Sequence, residues 1–189
     1  MLYYINQELS FQQLLNELTR LNNVSGYILI SDSQLYETYQ NCIKLSLRNI
    51  HNLRNFKVVL IESWVEVEQF ISQIERKCLV VLYGIIKSFV EIGHDDVVNH
   101  HDFLKYHQFC GWELNKLFHK MFVRHLEIGF DILMNDSLGP EETGEPLIWG
   151  INIPNIREKL HPVSSQQQIS LRVIFIKWFQ VIKEIHDMK

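Results

Sequence analysis

Apolar residues recur along this 189-residue chain in two rhythms, one alternating or continuous over short runs and one stepping by three and four. The short runs read as strands and the stepped ones as amphipathic helices. Met1-Leu-Tyr-Tyr-Ile5 is aromatic and β-branched and is expected to be an edge strand. Ser10 opens a helix with Gln13 as its capping-box partner, and Phe11, Leu14, Leu15, Leu18 and Leu21 form its apolar stripe until Asn22 and Asn23 end it. Val24 to Ile30 reads as a strand, closed by the turn residues Ser31, Asp32 and Ser33. A helix follows from about Gln34 to Ile50, with Leu35, Tyr39, Cys42, Ile43, Leu47 and Ile50 on one face. Phe56 to Ile61 is the clearest strand of all. Strand, helix and strand in so short a span predict a right-handed βαβ unit with parallel neighbours and the helix on one sheet face. Two short strands are marginal alone, so at least a third is required.

Beyond Ser63, which with Glu66 makes a second capping box, the pattern supports two readings. Trp64, Val67, Ile71, Ile74, Cys78, Val81, Ile85 and Phe89 keep helical spacing and would give one helix from 63 to 92. Alternatively the helix stops near Arg76, and Cys78-Leu-Val-Val-Leu-Tyr83 is a buried central strand with Gly84 behind it. Periodicity does not decide between them. From about Asp102 the three–four rhythm returns through Phe103, His107, Cys110, Leu114, Leu117, Met121, His125, Ile128 and Ile132, predicting a helix of some thirty residues. The interior glycines Gly111 and Gly129 weaken it by about 1 kcal/mol each relative to alanine. Residues 135–155 collect three of the four prolines and three of the eight glycines and read as loop. Within them, Leu147 to Ile153 is a candidate edge strand. Ser165 and Gln168 make a third capping box, and Leu171, Ile174, Trp178, Ile182 and Ile185 predict a closing amphipathic helix.

The expected fold is therefore a single helix-rich α/β domain. A small, largely parallel sheet near the N-terminus (about residues 1–92) packs with long amphipathic helices forming the C-terminal part (about 93–189). A composition of 47% hydrophobic residues is ample for such a core. The net charge of −4 argues against a basic nucleic-acid face. The longest apolar run, Cys78 to Ile86, is about half a membrane span, so no membrane insertion is expected. The chain opens with no cationic and apolar leader pattern. Three widely spaced cysteines, Cys42, Cys78 and Cys110, are expected to be buried free thiols, as in the reducing cytoplasm.

Candidate chemistry concentrates in histidine. His94, His100, His101, His107, His119 and His125 fall within a short stretch beside Asp95, Asp96, Asp102 and Cys110. Imidazole ligates metals and titrates near neutrality. His94, His101, Asp102, His107 and Cys110 are thus the candidate ligands for a divalent metal ion, His107 and Cys110 three apart on one helical face. The competing expectation places His107 and His125 as hydrogen-bonded members of an apolar stripe. The pairs His94-Asp95 and His101-Asp102 resemble the His-Asp dyad of the metal-dependent phosphohydrolases called HD domains. That family also needs an earlier His and a later Asp, for which His51 and Asp131 are the nearest residues here. The likeness covers one dipeptide and assigns no family.

Asp32 and Glu62 follow the two strands of the βαβ unit, at the edge where parallel sheets hold ligands. Such acids resemble the phosphoacceptor pocket of response-regulator receiver domains, although Tyr83-Gly84 then stands where that family carries its phosphorylated aspartate. No phosphate-cradling glycine loop follows either strand. Ser31 and Ser33 fit helix capping rather than a nucleophile elbow.

Charge is segregated along the chain. Lys44, Arg48, Arg54 and Lys57 occupy a stretch without acids. Glu127, Asp131, Asp136, Glu141, Glu142 and Glu145 occupy one without bases. Such fields steer charged protein partners. Aromatic residues exceed what one stripe per helix buries, and Phe118 and Phe122 widen theirs. Together these features predict a non-enzymatic protein-interaction module: an adaptor, chaperone-like or assembly subunit without a cofactor. Trp112, Phe118, Phe122, Trp149, Glu141 and Glu142 are the candidate contacts to another protein. The alternative is a metal-dependent hydrolase built on the stretch from His94 to His125.

Overall fold

Short aliphatic runs bounded by polar residues supply the sheet. The computed structural model describes residues 1–7, 9–21, 24–31, 51, 53–86, 110–135, 152–154 and 168–188. Its main strands are β1 (Leu2–Ile5), β2 (Gly26–Ile30), β3 (Phe56–Leu60), β4 (Leu79–Tyr83), β5 (Asp131–Asn135) and β8 (Gln180–Ile182). They form one six-stranded sheet in the order β3-β2-β4-β5-β1-β8, and every pairing in it is parallel. Strands β6 (Asn152–Pro154) and β7 (Gln168–Ser170) make a separate antiparallel ribbon. The helices are α1 (Phe11–Leu18), α2 (Trp64–Ser72), α3 (Gly111–Ile128) and α4 (Leu171–Trp178).

Alternation along each strand divides the core into two layers. Tyr3, Ile5, Ile28, Ile30, Leu79, Val81 and Leu133 face α1. Leu2, Tyr4, Leu29, Val80, Leu82, Ile132 and Met134 face α2, α3 and α4. Helices on both faces explain why the central strands read as unbroken apolar runs. At one point the backbones come too close for any side chain: a Cβ on Gly26 would lie 1.9 Å from the Leu79 carbonyl oxygen. Glycine there lets β2 lie against β4.

The βαβ expectation holds in its strands. β2 and β3 are adjacent and parallel, with Gly26 opposite Phe56 and Ile30 opposite Leu60. The helix expected over 34–50 lies outside the described residues. The two readings of 63–92 resolve toward the strand. α2 ends at Ser72, and Leu79–Tyr83 is a buried strand between β2 and β5. Continuous aliphatic character with burial on both faces outweighs a periodicity that both structures satisfy.

Other expectations change. Leu2–Ile5 is an interior strand between β5 and β8, essentially inaccessible to solvent, rather than an edge. The long helix expected from Asp102 to Ile132 is shorter at its far end. α3 stops at Ile128 because Gly129 takes the left-handed conformation, with φ 78°, a termination that glycine alone adopts without strain. Ile132 consequently belongs to β5. At the near end Cys110 is the extended N-cap residue rather than part of the helical stripe. The closing helix is also shorter. α4 begins after Ser170, whose hydroxyl accepts the Arg172 N–H, and Gln168 belongs to β7. Ile182 lies on β8 and Ile185 in a short 3₁₀ turn (Ile185–Asp187). Ile182 and Ile185 satisfy helical spacing but are buried on the α1 side, whereas Ile174 is buried on the other.

Candidate functional site

Parallel sheets gather ligand sites at the carboxyl ends of their strands, beside the point where connections leave in opposite directions. Here that point lies between β2 and β4. From β2 the chain moves to the outer strand β3, and from β4 it moves inward to β5. The last row of the sheet brings Leu60, Ile30, Tyr83 and Asn135 into line across four strands.

Three polar side chains tie this edge together. The Ser31 hydroxyl, just past β2, donates to the Gly84 carbonyl just past β4, at 3.0 Å. The Tyr83 hydroxyl donates to the Leu9 carbonyl at 2.9 Å. The Asn135 amide nitrogen donates to the Gln7 carbonyl at 2.9 Å and to the Ile5 carbonyl at 3.4 Å. Two strands thus hold the turn that leads from β1 into α1. That turn is where a strand–loop–helix phosphate site would lie, since backbone N–H groups and the helix dipole converge there. The N-terminus of α1 is instead closed by its own residues. The Ser10 hydroxyl accepts the Gln13 N–H, and the Gln13 side chain accepts the Ser10 N–H, satisfying two donors that an anion would otherwise use.

Asn135 is 1% exposed, and its buried side-chain oxygen has no hydrogen-bond partner among the described residues. Sequence reasoning placed Asn135 at the start of a loop and missed it. The available signal was Asp131-Ile-Leu-Met-Asn135, a short aliphatic run beginning two residues after a helix-ending glycine. Glu62 is exposed beyond β3, and its backbone N–H donates to the Glu66 carboxylate at 2.9 Å. It serves the α2 N-terminus together with Ser63. Asp32 lies outside the described residues.

The proposed metal ligands divide in the same way. His94, His101, Asp102 and His107 lie outside the described residues. Cys110 is a buried free thiol at the head of α3, its backbone N–H donating to the Glu113 carboxylate at 3.0 Å. Among the described residues, no cluster of three or more His, Cys, Asp or Glu side chains could hold a metal ion. His125 is part of the packing. Its ring lies against Phe122 and Phe130, its Nδ1 contacts the Phe130 carbonyl, and the Asp131 carboxylate is 3.8 Å away. His119 is exposed and meets Trp178 edge to face.

The proposed partner-binding residues separate by burial. Phe118 is fully buried, with edge contacts to Trp64, Phe175 and Phe179. It belongs to the core, so its place beside the stripe reflects a helix covered on two sides. Phe122 is half-buried against Trp178. Trp112 is 59% exposed in the first turn of α3, with the Lys116 ammonium 5.2 Å from its ring centre. Trp149, Glu141 and Glu142 lie outside the described residues. Among the described residues, no helix is long and apolar enough to cross a membrane. Neither a family model nor a curated protein matches this sequence.

Proposed function

We propose that this chain is a non-enzymatic protein-interaction module, an adaptor, chaperone-like or assembly subunit working in the cytoplasm without a cofactor. The observation that carries the reading is Trp112. A large indole stands in solvent on the first turn of an 18-residue helix. Tryptophan is among the residues most enriched at energetic centres of interfaces. Lys116 beside it supplies a cation that packs on the ring and is available to an acidic partner. The carboxyl edge supports the same reading from the other side. The Ser31 and Tyr83 hydroxyls, the Asn135 amide nitrogen and the Ser10–Gln13 cap each make a hydrogen bond to the chain's own backbone, where a ligand-binding protein would direct such groups outward.

The test is affinity capture with the full chain, followed by reconstitution with the purified partner it identifies. Trp112→Ala is expected to weaken that complex by about 2 kcal/mol or more, as truncation of an interface centre does. The fold should remain intact, because the side chain makes little contact with the core. A Trp112→Ala protein that binds the reconstituted partner unchanged would reject this surface. A saturable, stabilising response to a nucleotide or divalent cation in a melting screen would reject the non-enzymatic reading.

A further inference from the structure

Helix α3 carries two stripes. One is buried and runs through Leu114, Leu117, Phe118 and Met121. The other recurs at steps of four and three through Trp112, Lys116, His119, Val123 and Leu126, which sets these side chains in one line along the helix. Trp112 and Leu126 are exposed apolar residues at its two ends, Lys116 and His119 are exposed between them, and Val123 is half-buried. A solvated helix face is ordinarily polar and charged. This one begins and ends with large apolar side chains and holds no carboxylate. Together α3 and α4 carry five lysines and arginines against two glutamates, in a chain whose net charge is −4. Glu113 accepts the Cys110 N–H, and Glu127 pairs with Arg124. Lys120 is bridged to Glu68. Lys116 lies over the Trp112 ring, while the Lys177 ammonium lies 4.9 Å from the Trp178 ring centre and 3.3 Å from the Asn115 side-chain oxygen. Asn115 is neutral, so Lys177 is held in place with its charge uncancelled. Among the described residues, neither Lys116 nor Lys177 has a carboxylate partner. Beside the stripe, α2 and α3 leave a hollow of about 380 Å³, lined by Ile71, Leu117 and Met121 and edged by His119 and Val123. Its volume is within the range of ligand-sized pockets.

We propose that this face of α3 docks an acidic peptide segment of a partner protein, with a carboxylate on Lys116 and an apolar side chain in the hollow between α2 and α3. The inference rests on the protein-interaction reading and specifies the chemistry of its partner. Charge selects the occupant. An acidic segment meets Lys116 and Lys177, whereas a basic or neutral one leaves both ammonium groups uncompensated once water is excluded. Nucleic acid fits less well, because each indole already has an ammonium against its ring, where a base would stack. The negative charge of the rest of the molecule also opposes a long polyanion or an anionic bilayer, whose charge extends past the stripe, more than it opposes a short peptide.

Selection of a random peptide library on the immobilised full chain tests it. Enriched sequences should carry aspartate or glutamate beside a leucine, methionine or aromatic residue. A synthetic peptide of the most enriched sequence, followed by fluorescence anisotropy, should bind more weakly as salt is raised. Lys116→Glu should weaken that peptide's binding roughly tenfold, and selection repeated on this variant should lose the acidic preference. Ser72→Phe, which adds a ring to the rim of the hollow, should weaken binding as well. Circular dichroism and melting of both variants separate a lost site from a lost fold, and Lys116→Glu tests the charge without touching the core. Failure to enrich any sequence, enrichment of basic or uncharged ones, or a preference unchanged by Lys116→Glu overturns the inference. So does tighter binding of oligo-dT, or of vesicles of phosphatidylserine and phosphatidylcholine, than of the selected peptide. A partner that needs Trp112 yet presents a basic or uncharged segment to it overturns this inference alone. A partner indifferent to Trp112→Ala overturns the surface on which both readings rest.

Discussion

Cys78 shows how much a single position can report. Its thiol is buried at the entry to β4, and that burial raises its pKa above the ordinary value of 9.0; nearby Arg76 opposes the rise and Asp131 adds to it. Because the thiolate is the reactive form, Cys78 should be alkylated slowly in the native protein and rapidly in denaturant. Fast native labelling at this position, read by mass spectrometry, would contradict its burial. The same shift has a sign for stability. The folded state favours the neutral thiol, so the stability it contributes is complete below the unfolded value and is lost as pH rises through the raised folded one. Replacing Cys78 with Ala should therefore flatten the decline of stability on the alkaline side, measured by denaturant titration between pH 7 and pH 10. Asn135 is the second informative residue. Its amide holds two carbonyls of the turn between β1 and α1, so Asn135→Ala should cost about 1–3 kcal/mol. Amide exchange in the turn should quicken with it. A neutral Asn135→Ala would mean that the turn is held by Tyr83 and the Ser10 cap alone.

Between elements, Arg124 is the clearest joint. From near the C-terminal end of α3 its guanidinium donates to the Ser72 carbonyl at 3.1 Å and the Ile74 carbonyl at 2.8 Å. It also pairs with Glu127 at 2.8 Å. It thereby satisfies carbonyls at the end of α2 that have no helical partner. Arg124→Ala should lower stability by about 1–3 kcal/mol, with Arg124→Lys recovering only part, since one ammonium does not reproduce the planar fork. Full recovery by lysine in a urea titration would reduce the contact to simple charge. Elements also mark how far the sequence could be read. The capping pairs at Ser10 and Ser63 were legible because a cap is a local hydrogen bond between residues three apart. The β2–β3 pair was legible because its strands carry short β-branched runs. Gly129 was misread because an interior glycine and a terminating one look alike until φ is known. Ile182 and Ile185 were misread because their spacing fits a helix, while the layer that buries them depends on distant strands. The carboxyl edge was only half visible: Ser31 and Tyr83 fall on recognised strand ends, but the partners of Asn135 lie near the other end of the chain.

At the scale of the whole molecule, the layer beneath α2, α3 and α4 is organised around Phe118. Its ring stands edge-on to Trp64, Phe175 and Phe179, with ring centres 4.9–6.4 Å apart. Phe118→Ala should remove about 3–5 kcal/mol, enough to unfold a domain of ordinary stability at moderate temperature. A melting temperature close to that of the parent would show that the layer collapses around the gap. The placement of β1 has a consequence in time as well as in space. Leu2 pairs with Ile132 and Tyr3 with Gln180, so β1 is synthesised well before either of its neighbours. At about 5–20 residues per second, Leu2–Ile5 waits on the order of ten to thirty seconds for β8 to follow it out of the ribosome. Until β5 emerges, two tyrosines, a leucine and an isoleucine have no neighbouring strand to pair with. Nascent chains of this protein should therefore bind hydrophobic-segment chaperones through Leu2–Ile5 and release them only when β5 and β8 emerge.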